Sequence, residues 1–118
     1  MKSNYCKERL DNQRQLRQDL RIQASFLIEL IFNNGRAFFG KVEDLSLNGV
    51  KLRLPVSLPT GTQLVLNLIS HRLTLKGTCL WTNNPDWAAN SYLSGIKFIE
   101  ITNEQYAGLR QILFNIAG

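Results

Sequence analysis

From Ile22 onward the chain alternates: Ile22, Ala24, Phe26, Ile28, Leu30 and Phe32 take every second position, with Gln23, Ser25, Leu27, Glu29 and Ile31 between them. A period of two sends successive side chains to opposite faces, so this stretch predicts a strand with one face more buried than the other. Asn33-Asn34-Gly35 ends the run with residues that tolerate positive φ, as a tight hairpin turn requires, and Arg36 to Ser46 reads as the second strand. Asn48-Gly49 marks a further reversal or bulge. After it Val50, Leu52 and Leu54 alternate with Lys51 and Arg53, a third strand with a basic outer face.

The prolines and glycine of Pro55-Val56-Ser57-Leu58-Pro59-Thr60-Gly61 predict a loop, followed by a fourth strand over Gln63 to Ile69 and a turn at Ser70-His71-Arg72. In a fifth strand, Leu73 to Trp81, strict alternation puts Leu73, Leu75, Cys79 and Trp81 on one face with Gly77 in line. Thr82 to Ser91 is a polar loop, and Tyr92 to Ile101 supplies the sixth strand. Thr102 or Asn103 then caps a C-terminal helix whose apolar face is Tyr106, Leu109, Ile112, Leu113 and Ile116. Six consecutive strands joined by short turns predict an all-β, antiparallel architecture, and a small closed or nearly closed barrel in particular, because closure removes exposed edges.

Residues 1 to 21 differ in character from the barrel segment, 22 to 118. They are polar, with scattered Leu10, Leu16 and Leu20 and no apolar stripe, and predict a partly helical segment that loops near Arg17 to Arg21 and is flexible when free. Six of the 14 Lys and Arg residues fall here against three of the nine Asp and Glu, so +3 of the net +5 sits at this end. That balance favours an anionic partner such as a nucleotide or nucleic acid, although it also keeps an ordinary domain soluble. At 118 residues one domain is sufficient, since folding at this size removes roughly 65% of the unfolded chain's surface from water.

Nothing in Met1 to Leu10 has the apolar run of a secretion signal, and the densest apolar stretch, Phe26 to Phe32, is short and interrupted by Glu29; the expectation is a cytoplasmic protein with no membrane insertion. Cys6 and Cys79 have no metal-type spacing and are expected to be free, Cys79 as a small buried hydrophobe. His71 has no histidine or cysteine pair with which to build a zinc site. There is no nucleophile with a nearby histidine, no recognisable carboxylate pair and no Gly-rich phosphate loop opening a helix, so the chain reads as a binding protein and not an enzyme.

Two constellations carry chemistry. Arg14, Arg17 and Arg21 precede the first strand at spacings of three and four, and the planar guanidinium fork binds a phosphate or the O6/N7 edge of guanine through two parallel hydrogen bonds. Asp44-Leu45-Ser46-Leu47-Asn48-Gly49 places a carboxylate, a hydroxyl and a glycine at spacings of two and three at a strand end. By itself that pattern is also what a turn needs, with Asp and Ser bonding the turn backbone and Gly in a left-handed conformation. Beside the arginines it becomes more pointed, because a carboxylate accepts from the N1–H and N2–H₂ donors of guanine, the edge complementary to the one arginine reads.

RxxxR at Arg17-Gln18-Asp19-Leu20-Arg21 and [DN]xSxxG at Asp44 to Gly49, in that order on a six-strand pattern, resemble the PilZ domain family. The similarity extends through the Leu58-Pro59-Thr60-Gly61 loop, the Gly95-Ile96-Lys97-Phe98 segment and the C-terminal helix. It implies a six-stranded antiparallel barrel of PilZ type that binds the bacterial second messenger cyclic di-GMP. It further implies that Arg17 and Arg21 hold the ligand from the N-terminal segment, that Asp44 and Ser46 bond a guanine edge, and that Gly49 permits close backbone approach; Arg14 lies just outside the motif and is a candidate for a supporting phosphate contact. A receptor of this kind is expected to act in trans on a protein partner in motility, biofilm or polysaccharide control, with no DNA partner. Two alternatives of other classes are a small barrel binding single-stranded nucleic acid through Lys51, Arg53 and aromatic platforms such as Phe38, Phe39 or Trp81, and a ligand-independent adaptor of the same fold.

Overall fold

A computed structural model describes residues 22–23, 26–84 and 91–117. The N-terminal arginines Arg14, Arg17 and Arg21, the helix expected before them, Cys6 and the centre of the loop after Thr82 lie outside the described residues. The strands are β1 (Ile22–Gln23), β2 (Leu27–Phe32), β3 (Ala37–Leu45), β4 (Gly49–Leu54), β5 (Gln63–Leu68), β6 (Leu73–Asn83) and β7 (Tyr92–Ile99), followed by helix α1 (Asn103–Ala117). All pairings are antiparallel, in the order β3-β2-β5-β6-β7-β4, and β4 pairs back onto β3 to close a six-stranded barrel. The short β1 lies on the same edge of β3 as β2, with Ile22 opposite Leu45 and Gln23 opposite Asp44, so the strand expected over Ile22 to Phe32 is realised in two pieces.

The alternation read from the sequence becomes the barrel wall. Ile28, Leu30, Val42, Leu52, Leu54, Leu66, Leu68 and Leu75 point inward and are essentially inaccessible, while Leu27, Phe39 and Lys41 point out. Gly35 closes the β2–β3 hairpin at φ +85°, a conformation that costs glycine little. Cys79 is buried in the core as expected, its thiol 3.4 Å from the Trp81 carbonyl.

Trp81 departs from the expectation. The register of β6 against β7 shifts between Cys79 and Trp81, so Cys79 faces Ile96 while Trp81 faces Gly95, and the extra residue is a β-bulge. Leu80 and Trp81 are consequently both outside, 52% and 40% exposed. A second bulge interrupts β3 between Val42 and Asp44, which turns Glu43 and Asp44 to the exterior together.

Helix α1 starts at a capping box. Thr102 Oγ1 accepts from Gln105 N (3.1 Å) and Gln105 Oε1 accepts from Thr102 N (2.9 Å), each satisfying a donor that the first turn leaves unpaired. Gln105 Nε2 also donates to the Thr74 carbonyl, tying the helix to β6. Leu109, Ile112 and Leu113 are buried, whereas Tyr106, expected on the apolar face, is 38% exposed. Among the described residues no helix is long and apolar enough to cross a membrane, and no group of three or more His, Cys, Asp and Glu side chains could hold a metal.

Truncating the inaccessible Leu66 to Ala is expected to cost about 2–5 kcal/mol in urea denaturation, whereas Leu27→Ala on the exposed wall is expected to stay within about 0.5 kcal/mol. Burial pushes the Cys79 thiol above its ordinary range. The native thiol therefore keeps its proton where the unfolded one loses it, above about pH 8.5. Stability is full below that value and falls as pH rises toward the native thiol's own, and this alkaline slope is expected to be shallower in Cys79→Ala, measured by denaturant titration at stepped pH.

Candidate functional site

Asp44 and Trp81, the residues that the two bulges turn outward, belong to one lateral row across the barrel wall. The row runs Asp44 opposite Lys51, Lys51 opposite Gly95 and Gly95 opposite Trp81, spanning β3, β4, β7 and β6. At one end Asp44 and Lys51 are ion-paired, Oδ2 to Nζ 3.3 Å, with the carboxylate side chain only 16% exposed. At the other, the indole of Trp81 lies over the backbone of Gly95. A Cβ built on Gly95 would collide with Trp81 Nε1 and come within 2.9 Å of Cζ2, so only glycine accepts the ring there. Between the two ends is a surface depression of about 460 Å³, bordered also by Ser46, Asn48, Gly49, Leu80 and Lys97.

Ser46, Leu47, Asn48 and Gly49 make the turn that links β3 to β4. Ser46 N donates to the Gly49 carbonyl (2.9 Å), and the hydroxyl closes the remainder. It donates to Gly49 O and accepts from the amides of Asn48 and Gly49, all at 3.2 Å. One donor and two acceptor sites are all a hydroxyl has, so Ser46 is saturated by its own turn. Asn48 O in turn accepts from Phe98 N (2.9 Å), which fastens the turn to β7. Gly49 is not in the left-handed region that the isolated motif suggests; it is the first residue of β4. Its lack of a side chain is required by β7, because a Cβ would run into the Ile96 carbonyl and sit 3.3 Å from the Lys97 Cα.

Of the residues singled out from the sequence, Asp44, Ser46 and Gly49 are thus brought to one depression, and Arg14, Arg17 and Arg21 fall outside the described residues. Lys51 and Trp81 border the same depression, although the sequence reading gave neither a part in the cyclic di-GMP site. Lys51 was within reach of a reading that paired it across the turn with Asp44. Trp81 was not, because nothing in Leu73 to Trp81 announces the bulge. The other basic strand residue, Arg53, is engaged nearby, its Nε 3.1 Å from Glu43 Oε2 and its Nη1 2.8 Å from Ser91 Oγ.

The PilZ domain model matches residues 15–115. Among solved structures, the PilZ domain with c-di-GMP of YcgR from Escherichia coli is similar at a TM-score of 0.65 and 15% identity, over 82% of this chain and 88% of that one. The PilZ domain of CeSA from a cellulose-synthesizing bacterium gives 0.63 and 19%, over 83% and 98%. MrkH of K. pneumonia in its apo state gives 0.65 and 16%, over 82% of this chain and 49% of MrkH, so the chain spans about half of that protein. At such identities the likeness is one of fold. No curated protein matches the sequence.

The two site glycines are expected to respond differently to a methyl group. Gly49→Ala confronts a backbone carbonyl that cannot yield without breaking β4–β7 pairing, and a loss of about 2–3 kcal/mol is expected in denaturant unfolding. Gly95→Ala confronts only a side chain on the surface; in a Trp87→Phe background it is expected to shift Trp81 emission to the red as the indole lifts into solvent, with at most about half the stability loss of Gly49→Ala.

Proposed function

The chain belongs to the PilZ domain family, whose members are non-catalytic cyclic di-GMP receptors, and from that premise we propose that it binds cyclic di-GMP between its N-terminal RxxxR segment and the Asp44 end of the barrel wall. The observation that carries the reading is a register: Ile22 pairs with Leu45, the residue between Asp44 and Ser46. Arg21 is the residue before Ile22, one peptide away, and Arg17 lies only five residues from that anchor, a span of at most about 18 Å of extended chain. This register supports a reading in which the two motifs, more than twenty residues apart in sequence, serve one rim.

The division of labour follows from donor and acceptor chemistry. Arg17 and Arg21 supply guanidinium forks to phosphate or to guanine O6 and N7, with Arg14 as a further phosphate contact. Asp44 supplies the acceptor for the guanine N1–H and N2–H₂ donors. Ser46 contributes by fixing the turn and, where it yields one of its turn bonds, by contact with the base; Gly49 keeps the floor low. The exposed indole of Trp81, on the far wall of the same depression, offers an apolar face on which a purine can stack. Binding makes and breaks no covalent bond. A dianion that bridges the basic segment to the barrel changes the surface shown to a protein partner acting in motility, biofilm or polysaccharide control, and that population shift is the signal.

Isothermal titration of cyclic di-GMP into the full chain checks this. Arg17→Ala and Arg21→Ala are each expected to weaken binding more than tenfold, in line with the loss of a charge-assisted pair, while the thermal midpoint of the free protein changes little. Undiminished affinity in both variants removes the arginines from the site, and salt-sensitive binding to single-stranded oligonucleotides with no response to the cyclic dinucleotide replaces the reading with the nucleic-acid one.

A further inference from the structure

Asp44 poses an electrostatic problem for the ligand it is proposed to read. A carboxylate is a good acceptor for a purine edge, yet a cyclic dinucleotide carries two phosphate charges into the same depression, and like charges in a partly desolvated setting repel. With its side chain only 16% exposed, Asp44 has little water to screen it. Lys51 stands directly opposite in the β3–β4 register, its Nζ 3.3 Å from Oδ2, and both residues border the depression. The pairing is a product of the backbone: the bulge between Val42 and Asp44 is what turns Asp44 onto the outer face that Lys51 already occupies. Lys51 sits next to Gly95, which has no side chain to compete for that charge.

Resting on the cyclic di-GMP reading above, we infer that Lys51 is the built-in counter-charge of Asp44, a positioning residue that lets a carboxylate serve in a site for a dianion. Its ammonium occupies one of the roughly four lone-pair directions of the carboxylate, at Oδ2, and leaves Oδ1 and the remaining direction to the purine donors. The pair cancels the charge that the phosphates would otherwise meet. With Lys51 35% exposed, the pair keeps one partner in water and its contribution to folding is modest.

A double-mutant cycle read by calorimetry tests the inference. Lys51→Met is expected to weaken cyclic di-GMP binding about tenfold in the Asp44 background and less than about threefold in the Asp44→Asn background, where no carboxylate needs neutralising. Lys51→Arg, which restores the charge, is expected to return affinity to within about threefold of the original, and thermal midpoints are expected to be nearly unchanged throughout. A tenfold loss from Lys51→Met in both backgrounds overturns the inference by making Lys51 a phosphate ligand in its own right; no loss in either overturns it as well. Should Asp44→Asn bind too weakly to measure, the Arg-against-Met comparison decides, and an Arg variant as weak as Met refutes the counter-charge role. Where Arg21→Ala abolishes binding but Lys51→Met does nothing, the inference fails and the receptor reading stands; where the unaltered chain does not bind the nucleotide, both fall.

Discussion

The site depends on two β-bulges. A regular strand sends alternate residues in and out, and in this barrel that rule fills the interior with leucine, isoleucine and valine. One extra residue in β3 and one in β6 break the rule locally, so that Glu43 with Asp44, and Leu80 with Trp81, face outward as adjacent pairs. Between the bulges the pairing Asp44, Lys51, Gly95, Trp81 lays a carboxylate, an ammonium, a bare backbone and an indole side by side. The acceptor, counter-charge, floor and stacking face of the proposed site thus come from four different strands, and none of them has to leave the sheet.

Closure of the barrel is what keeps that row in place. β3 is paired along both edges, with β1 and β2 on one side and β4 on the other, so the residues of its far end cannot fray as they could on an edge strand. The same double pairing brings the chain in beside the motif it is proposed to serve, because Ile22 is locked opposite Leu45. At the turn that follows, Ser46 uses every hydrogen-bonding site of its hydroxyl on Asn48 and Gly49, and Phe98 binds Asn48 from the neighbouring strand. Serine and glycine in the second motif are therefore explained first by the architecture of the rim. The carboxylate is different, since nothing in the turn requires Asp44.

Much of the fold was legible in the chain because it rests on local rules. Period-two alternation located six strands, Asn33-Asn34-Gly35 marked the first hairpin, and Thr102 was one of the two caps offered for the helix start, although its partner Gln105 was not. Cys79 was recognisable as core because it lay in phase with Leu75 and Gly77. The same reasoning misplaced Trp81, since counting by twos across Cys79 assumes that no residue is inserted, and it set Tyr106 on a helix face that the barrel leaves partly open.

By itself, the sequence determined which residue types were available and how far apart they stood along the chain: arginines ahead of the first strand, then an aspartate, a serine and a glycine around a turn. Proximity across strands was decided only by the tertiary structure. Lys51 meets Asp44, and the indole of Trp81 covers Gly95, through registers fixed by backbone pairing and by two single-residue insertions. Register is a property of how strands meet, set by the summed burial of whole faces, and a one-residue slip reverses every side chain beyond it.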